Sequence, residues 1–400
     1  MDLHSGIPFW RLRDGLLGTF PSLHRDLTTD VAVIGAGMTG ALIAYELSRA
    51  GVDVVVLDRE DVASGSSAAS SGLLLYDTDS SLQQLNRTIG PLNAARVYKL
   101  GLNAIDRIDS ICTALGDSCG FTRRSSLYLA SSRSSLRGLR QEYNLRHELG
   151  LPVEWLTRAD FAPAYTFNAA GAIRAYGTAE VNSYRLTYRL LEAAAAAGAR
   201  VFDRTTVTRL QRDRGGTHLE IAGGHTVRAS RVILASGYEA ALMLRRRTGK
   251  LTSTWLFASE PLESFDGWSD RCLIWETARP YLYLRTTDDG RLLAGGEDEP
   301  GAFTHRSRRR FDRKIARLLT RASRMFPRMR LEVAYSWAGT FATSEDGLPF
   351  IGTVPEHPGV WFALAYGGNG ITFSMIAANL LRDACLGQEN DDARIFRFNR

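Results

Sequence analysis

Lysine is scarce in this chain of 400 residues: Lys99, Lys250 and Lys314 stand against 46 arginines. Cysteine is almost as rare, with four in all, which excludes a disulfide framework. Cys112 and Cys119 lie near each other, Cys272 and Cys385 stand alone, and no Cys or His pair has zinc spacing, so no metal is expected. No apolar run approaches the ~20 residues of a membrane-spanning helix, and no stable membrane anchor is expected. The stretch MDLHSGIPFWRLRDG lacks the basic head, apolar core and small-residue cleavage site of a signal peptide, which points to the cytoplasm. The basic excess is modest, at +6. The cluster His305-Arg306-Ser307-Arg308-Arg309-Arg310 reads either as a nucleic-acid patch or as a solvated helix face. Phe311, Ile315 and Leu318 follow at helical spacing, so no nucleic-acid partner is expected.

What is present is an ordinary globular composition, 44% hydrophobic and 23% charged, at a length that suggests two or three folding units. The strand DVAVI at 30–34 runs into Gly35-Ala36-Gly37-Met38-Thr39-Gly40, a helix ALIAYELSRA and a second strand VDVVVLD at 52–58. That is a complete βαβ unit. A helix is expected at 83–118, strands at 121–130 and 171–177, and an Ala-rich helix over 185–198. A strand follows at 200–210 and another at 226–237, and alternating strands and turns fill 251–300. A helix over 307–326, a strand at 360–365 and a glycine turn opening a helix at Thr372 complete the chain.

Nucleotide-binding elements thus come first and last, with antiparallel material between. The fold class is α/β (α+β, two-domain): a Rossmann-type cofactor domain from 26–85, 182–240 and 337–400, interleaved with an antiparallel-sheet substrate domain from 86–181 and 241–336. In the glycine pattern, Gly35 permits a tight turn, Gly37 admits a pyrophosphate to the backbone, and Gly40 lets helix and strand pack closely. Asp58, at the end of the second strand, is placed to accept hydrogen bonds from a ribose.

An acid at Asp58 suits NAD or FAD, and three later features favour FAD. One is the small-residue run SGSSAASSG at 64–72, whose alternative reading is a flexible linker. Another is VILASG at 232–237, ending in Ala235, Ser236 and Gly237. The third is the glycine turn Gly367-Gly368-Asn369-Gly370-Ile371-Thr372, whose amides and helix dipole suit an anionic flavin edge.

Taken with VLDRE at 56–60, AGTFATSEDGLPFIG at 338–352 and YGGNGIT at 366–372, these segments resemble the FAD-dependent D-amino-acid oxidase/glycine oxidase/sarcosine oxidase family over nearly the whole chain. WAGTFA and GGNGIT are most similar to the putrescine-catabolism branch, the γ-glutamylputrescine-oxidase-like enzymes. The resemblance implies that Met38, Thr39, Asp58, Arg59, Ser66, Ser67, Ser71, Gly72 and Leu73 touch FAD. It also implies that Val207 meets the adenine and that Gly339 and Tyr366 to Thr372 surround the flavin ring.

It further implies oxidation of a C–N bond in a small amine or amino acid. The α C–H would face flavin N5 for hydride transfer, and the imine would hydrolyse in water. Oxygen is the expected electron acceptor. A dehydrogenase passing electrons to a quinone or protein is the alternative, and an RNA-modifying enzyme on the same fold is another. An NAD dehydrogenase leaves the C-terminal glycine turn without a role.

Departures from the family are specific. Amino-acid-oxidising members place a carboxylate-binding Arg where this chain has Phe341, and some place another where it has Gly368. Arg285, sharing a strand face with Tyr281 and Tyr283, is the expected substitute. Tyr281, Tyr283 and Phe341 are expected to wall the substrate pocket. The sarcosine oxidase branch attaches its flavin through a Cys near Gly339. None is there, so FAD is expected to be non-covalent. That branch's oxygen-activating Lys is also missing from Arg291–Gly296.

Overall fold

The computed structural model describes residues 4–244, 248–302, 307–364 and 366–400. Two sheets organise them. In the first, Val360–Leu364, Thr226–Leu234, Leu27–Ile34, Val54–Leu57 and Arg200–Phe202 lie side by side in that order, all parallel. Phe350–Thr353 adds an antiparallel edge. Val31, Val33 and all of Val54–Leu57 are fully buried, as strands covered on both faces require.

The helix Met38–Arg49 follows the first of these strands at very close range. A Cβ placed on Gly40 would lie 1.8 Å from the carbonyl oxygen of Gly35, so only glycine fits. Ala41 to Leu47 are buried, and Glu46 accepts ion pairs from Arg107 (2.7 Å) and Arg382 (2.9 Å). Those arginines belong to the helices Pro91–Ala114 and Gly370–Cys385, which are thereby tied to the first helix.

The second sheet has ten strands. Its spine is Val333–Thr343, Lys250–Ser259, Leu292–Pro300, Leu282–Thr286, Leu273–Glu276, Thr122–Leu129 and Gly171–Glu180. Neighbours are antiparallel except Leu273–Glu276 against Thr122–Leu129, which run parallel and make the sheet mixed. The helix Arg308–Met325 covers it, burying Ile315, Leu318 and Ala322. His305 and Arg306, part of the basic cluster, lie outside the described residues. Arg308 pairs with Asp312 (3.0 Å) and Arg310 with Glu299.

Sheet membership crosses the boundaries expected for the two units. Leu73–Leu74 and Val333–Thr343 both belong to the second sheet, although 26–85 and 337–400 were assigned to the cofactor unit.

Two expected elements are broken. The helix anticipated over 83–118 is two helices, Leu82–Thr88 and Pro91–Ala114, because Gly90 takes φ +81° and Pro91 restarts the helix where its missing N–H costs nothing. The strand anticipated over 200–210 stops at Phe202 and resumes at Val207. Between them the Thr205 N–H donates to the Asp58 carbonyl (2.7 Å), turning the chain toward the glycine loop. From Val207 a three-stranded antiparallel meander returns to the first sheet.

Gly40→Ala is expected to push the helix off its strand and cost about 1–3 kcal/mol or more of unfolding free energy in denaturant titration. Gly138→Ala is the matched control: it sits in the helix Arg133–Glu148 with nothing within 4 Å of an added Cβ, and should be neutral or stabilising by up to about 1 kcal/mol.

Candidate active site

One cavity of about 910 Å³ runs between the two sheets. That volume is at the upper end for small-ligand sites. One end is built from the glycine loop. Gly35, Gly37, Met38, Thr39, Asp58 and Arg59 line it, with Val207 and, unanticipated, Thr205 and Thr206 from the strand break. Asp58 accepts the backbone N–H of Ala36 (2.6 Å) and of Glu60 (3.0 Å), which clamps the glycine loop to the second strand. Burial raises its pKa, and those two N–H groups oppose the shift. Arg59 is ion-paired with Glu239 at 2.8 Å.

The small-residue run is an ordered element, not a linker. Ser66–Ala69 is a short helix whose Ser67 Oγ accepts the Met38 N–H at 2.8 Å. Its backbone carbonyls are held by Ser183 Oγ on Ser67 (2.7 Å), Trp337 Nε1 on Ala69 (2.9 Å) and Trp10 Nε1 on Ser70 (2.7 Å). Ser66, Ser67, Ser71 and Leu73 reach the cavity, and Ser66 Oγ is buried with no hydrogen-bond partner. Ala235, Ser236, Gly237 and Gly339 line the middle.

The far end is formed by Tyr366, Gly367, Gly368, Asn369, Gly370 and Ile371, facing Tyr281, Tyr283 and Phe341. Burial raises the pKa of Tyr281 and of Tyr283, so both stay protonated. The glycine turn is fastened to residues 75–79. Asn369 Nδ2 donates to the Asp77 carbonyl (2.8 Å), Thr372 Oγ1 to the Leu75 carbonyl (3.0 Å) and the Gly368 N–H to Asp79 Oδ2 (2.9 Å).

Four expected residues are not on the cavity wall. Gly40 packs helix on strand, Gly72 packs against Val181, and Thr372 braces the turn. Arg285 is the substantive correction. Its Nη1 donates to the carbonyls of Ser71 (2.9 Å), Gly72 (3.0 Å) and Val181 (2.9 Å), and its Nε to Thr286 (2.9 Å), beside Glu180 at 3.4 Å. With Nε and Nη1 engaged on protein groups, 2% exposure and no place on the cavity wall, it is not set to fork onto a substrate carboxylate.

The residues that sequence reasoning missed at this end are Asp79, Asp298, Trp275 and Arg279. Asp77 and Asp79 sit in YDTD, three leucines after the small-residue run, a placement open to notice. Asp298 carried no signal until the sheet brought it to Tyr281. Among the described residues no His, Cys, Asp or Glu group is arranged to hold a metal ion, and no helix is long and apolar enough to cross a membrane.

The glycine cradle, the clamped Asp58 and the orphaned Ser66 hydroxyl suit a dinucleotide laid along this cavity. Comparison with known proteins gives the same class: the pattern of the FAD-dependent oxidoreductase family, DAO, matches residues 30–384, and the chain belongs to that family. Glycine oxidase of Geobacillus kaustophilus is 29% identical over 369 residues, covering 88% of this chain and 92% of that one. The crystal structure of glycine oxidase from that species superposes with a TM-score of 0.78 at 26% identity, covering 91% of this chain and 96% of the other. Gamma-glutamylputrescine oxidoreductase of Escherichia coli is 24% identical over 382 residues, covering 92% and 86%.

Asp58→Ala should weaken FAD retention about tenfold or more, read by fluorescence titration of the stripped protein. Arg285→Met should act on stability, lowering it by about 3–5 kcal/mol by leaving buried carbonyls and Glu180 short of a partner.

Proposed function

We propose that the protein oxidises a C–N bond of a small amine or amino acid, with FAD laid along the cavity. The observation that carries this is the continuity of one cavity from the glycine loop, across Ser66 to Leu73, to an aromatic end walled by Tyr281, Tyr283 and Phe341. The residues to hold FAD are Gly35 to Thr39 and Asp58 at the nucleotide end, Ser66, Ser67 and Ser71 in the middle, and Tyr366 to Ile371 at the far end. Bound there, FAD supplies the acceptor for a hydride from the carbon bearing the amine.

The chain's own part is placement and exclusion of water. Tyr281, Tyr283 and Phe341 wall off the reacting carbon, and the protonated phenols orient a neutral amine by hydrogen bonding. The amide N–H groups at the start of the helix Gly370–Cys385 bring partial positive charge to that end. No side chain needs to act as a dedicated base if the amine arrives neutral; the imine then hydrolyses in water.

Oxygen, giving hydrogen peroxide, is the electron acceptor in this reading. The second reading, a dehydrogenase, is favoured by one observation: none of the three lysines lines the cavity. Nor does any of the four cysteines, which supports non-covalent FAD.

Mixed without oxygen with a panel of amines and amino acids, the yellow protein should lose its visible flavin band with at least one class. No bleaching by any member, with FAD bound, would overturn the reading. Oxygen uptake during turnover then separates oxidase from dehydrogenase. Acid precipitation should leave the flavin in the supernatant; a yellow pellet would contradict non-covalent binding.

A further inference from the structure

We propose that the cavity takes an amine carrying a second positive charge, held by Asp79 and Asp298, and not an amino acid held by its carboxylate. The inference rests on the reading above that amine oxidation occurs at the aromatic end.

The placement of the two carboxylates is the argument. Asp79 accepts the Gly368 N–H, and a Cβ built on Gly368 would lie 2.9 Å from Asp79 Oδ1 and 3.9 Å from the Tyr281 hydroxyl. Carboxylate and phenol therefore converge over the glycine turn. Asp298 comes from the strand Leu292–Pro300 on the other side, close enough to Asp79 and Tyr281 to feel both. Its Oδ1 is buried and makes no well-aligned hydrogen bond, with the hydroxyls of Thr254 and Tyr281 as its nearby donors, so it retains capacity to accept from a ligand. A third carboxylate behind them, Asp77, is 2% exposed and paired with the buried Arg146, and its Oδ2 also lacks a partner.

Asp77 is compensated by Arg146, and against Asp79 and Asp298 the described residues lining this end set one cation, Arg279. It lies exposed, stacked on the Tyr281 ring at 4.8 Å, and donates to the Ala278 carbonyl at 3.1 Å. The other cationic residues on the wall, Arg59 and Arg209, belong to the nucleotide end. Neither Phe341 nor Gly368 offers a positive charge. A carboxylate ligand would meet two carboxylates, Asp79 exposed and Asp298 half-buried, whereas a cation placed between them relieves their mutual repulsion and offers Asp298 Oδ1 a donor. Trp275, Tyr281 and Tyr283 add ring faces suited to an ammonium group.

Burial pushes the Asp298 carboxyl up to about 6. The groups facing it are Asp79, which raises it further, and Thr254, Tyr281 and Arg279, which oppose; its charge in turn bears on Tyr283. Affinity for a dication should therefore fall as pH drops through about 6.

The test is anaerobic stopped-flow reduction of the holoenzyme by 1,4-diaminobutane, butylamine and 4-aminobutanoate, which share a chain length and differ in the far group. From the concentration dependence, the diamine Kd is expected to be at least about tenfold below that of butylamine, with 4-aminobutanoate weakest. Asp298→Asn and Asp79→Asn should each collapse the diamine-over-butylamine ratio toward one. Asp298→Asn should also reduce the loss of diamine affinity below pH about 6, the remainder coming from Asp79, whose carboxyl is likewise pushed up by desolvation. Asp298 makes no bond to the glycine turn, so its variant separates charge from any disturbance of the turn. Equal or tighter binding of 4-aminobutanoate, or a ratio unmoved in Asp298→Asn, overturns this inference alone. Reduction by none of these or of a wider amine panel, with FAD bound, overturns the amine-oxidation reading as well.

Discussion

The cavity exists because a helix and a strand approach each other more closely than any side chain would permit. With no Cβ at Gly40, the helix Met38–Arg49 sits directly on the Gly35 carbonyl. That contact sets the direction of the helix, brings its first amides to the cavity wall, and lets Asp58 reach across to Ala36. The helices Pro91–Ala114 and Gly370–Cys385 are in turn fixed to it through Glu46. A shift of this one helix would displace both ends of the cavity together.

A second set of constraints holds the chain where it enters the second sheet. Residues 71–79, which include the second-sheet strand Leu73–Leu74, carry several cavity-lining groups. Arg285 grips their start through the carbonyls of Ser71 and Gly72, and Arg146 grips their end through Asp77. Arg146 is also bonded to Glu142, which accepts the Leu82 N–H and the Tyr98 hydroxyl. Buried arginine is used here as a multi-donor tie for backbone and carboxylate, a task for which its planar fork suits it better than lysine. The abundance of arginine in the composition thus has a visible structural outlet in the interior.

The nucleotide end was legible from sequence because each of its requirements is local. Glycine spacing, a buried strand and an acid at the strand end are set by neighbours along the chain, and Gly35, Gly37 and Asp58 lie where that logic places them. The far end was legible only in part. Tyr281, Tyr283 and Phe341 reach the cavity, but strand alternation could not show that Arg285, two positions on, passes beneath residues 71–72 and finds carbonyls there. Asp298 and Asp79 are separated by more than half the chain and meet only through the register of the second sheet. The breaks at Gly90 and at 203–206 were missed for a different reason: apolar periodicity continues through both, and a positive φ or a single turn hydrogen bond decides them.

The scarcity of lysine gains a further significance under the proposed reaction, which would make carbonyl compounds. Hydrolysis of an imine formed from a primary amine at a CH2 group releases an aldehyde, and aldehydes condense with exposed primary amines. Lys314 is 3% exposed, its ammonium held by Glu297 and Glu299 (2.8 Å) against the Trp255 ring. Of the three lysines only Lys99 and Lys250 meet solvent. Guanidinium groups, protonated at all ordinary pH, are far poorer nucleophiles. A surface charged by arginine presents few side-chain targets for covalent adducts with such a product, which favours a long working life at high turnover.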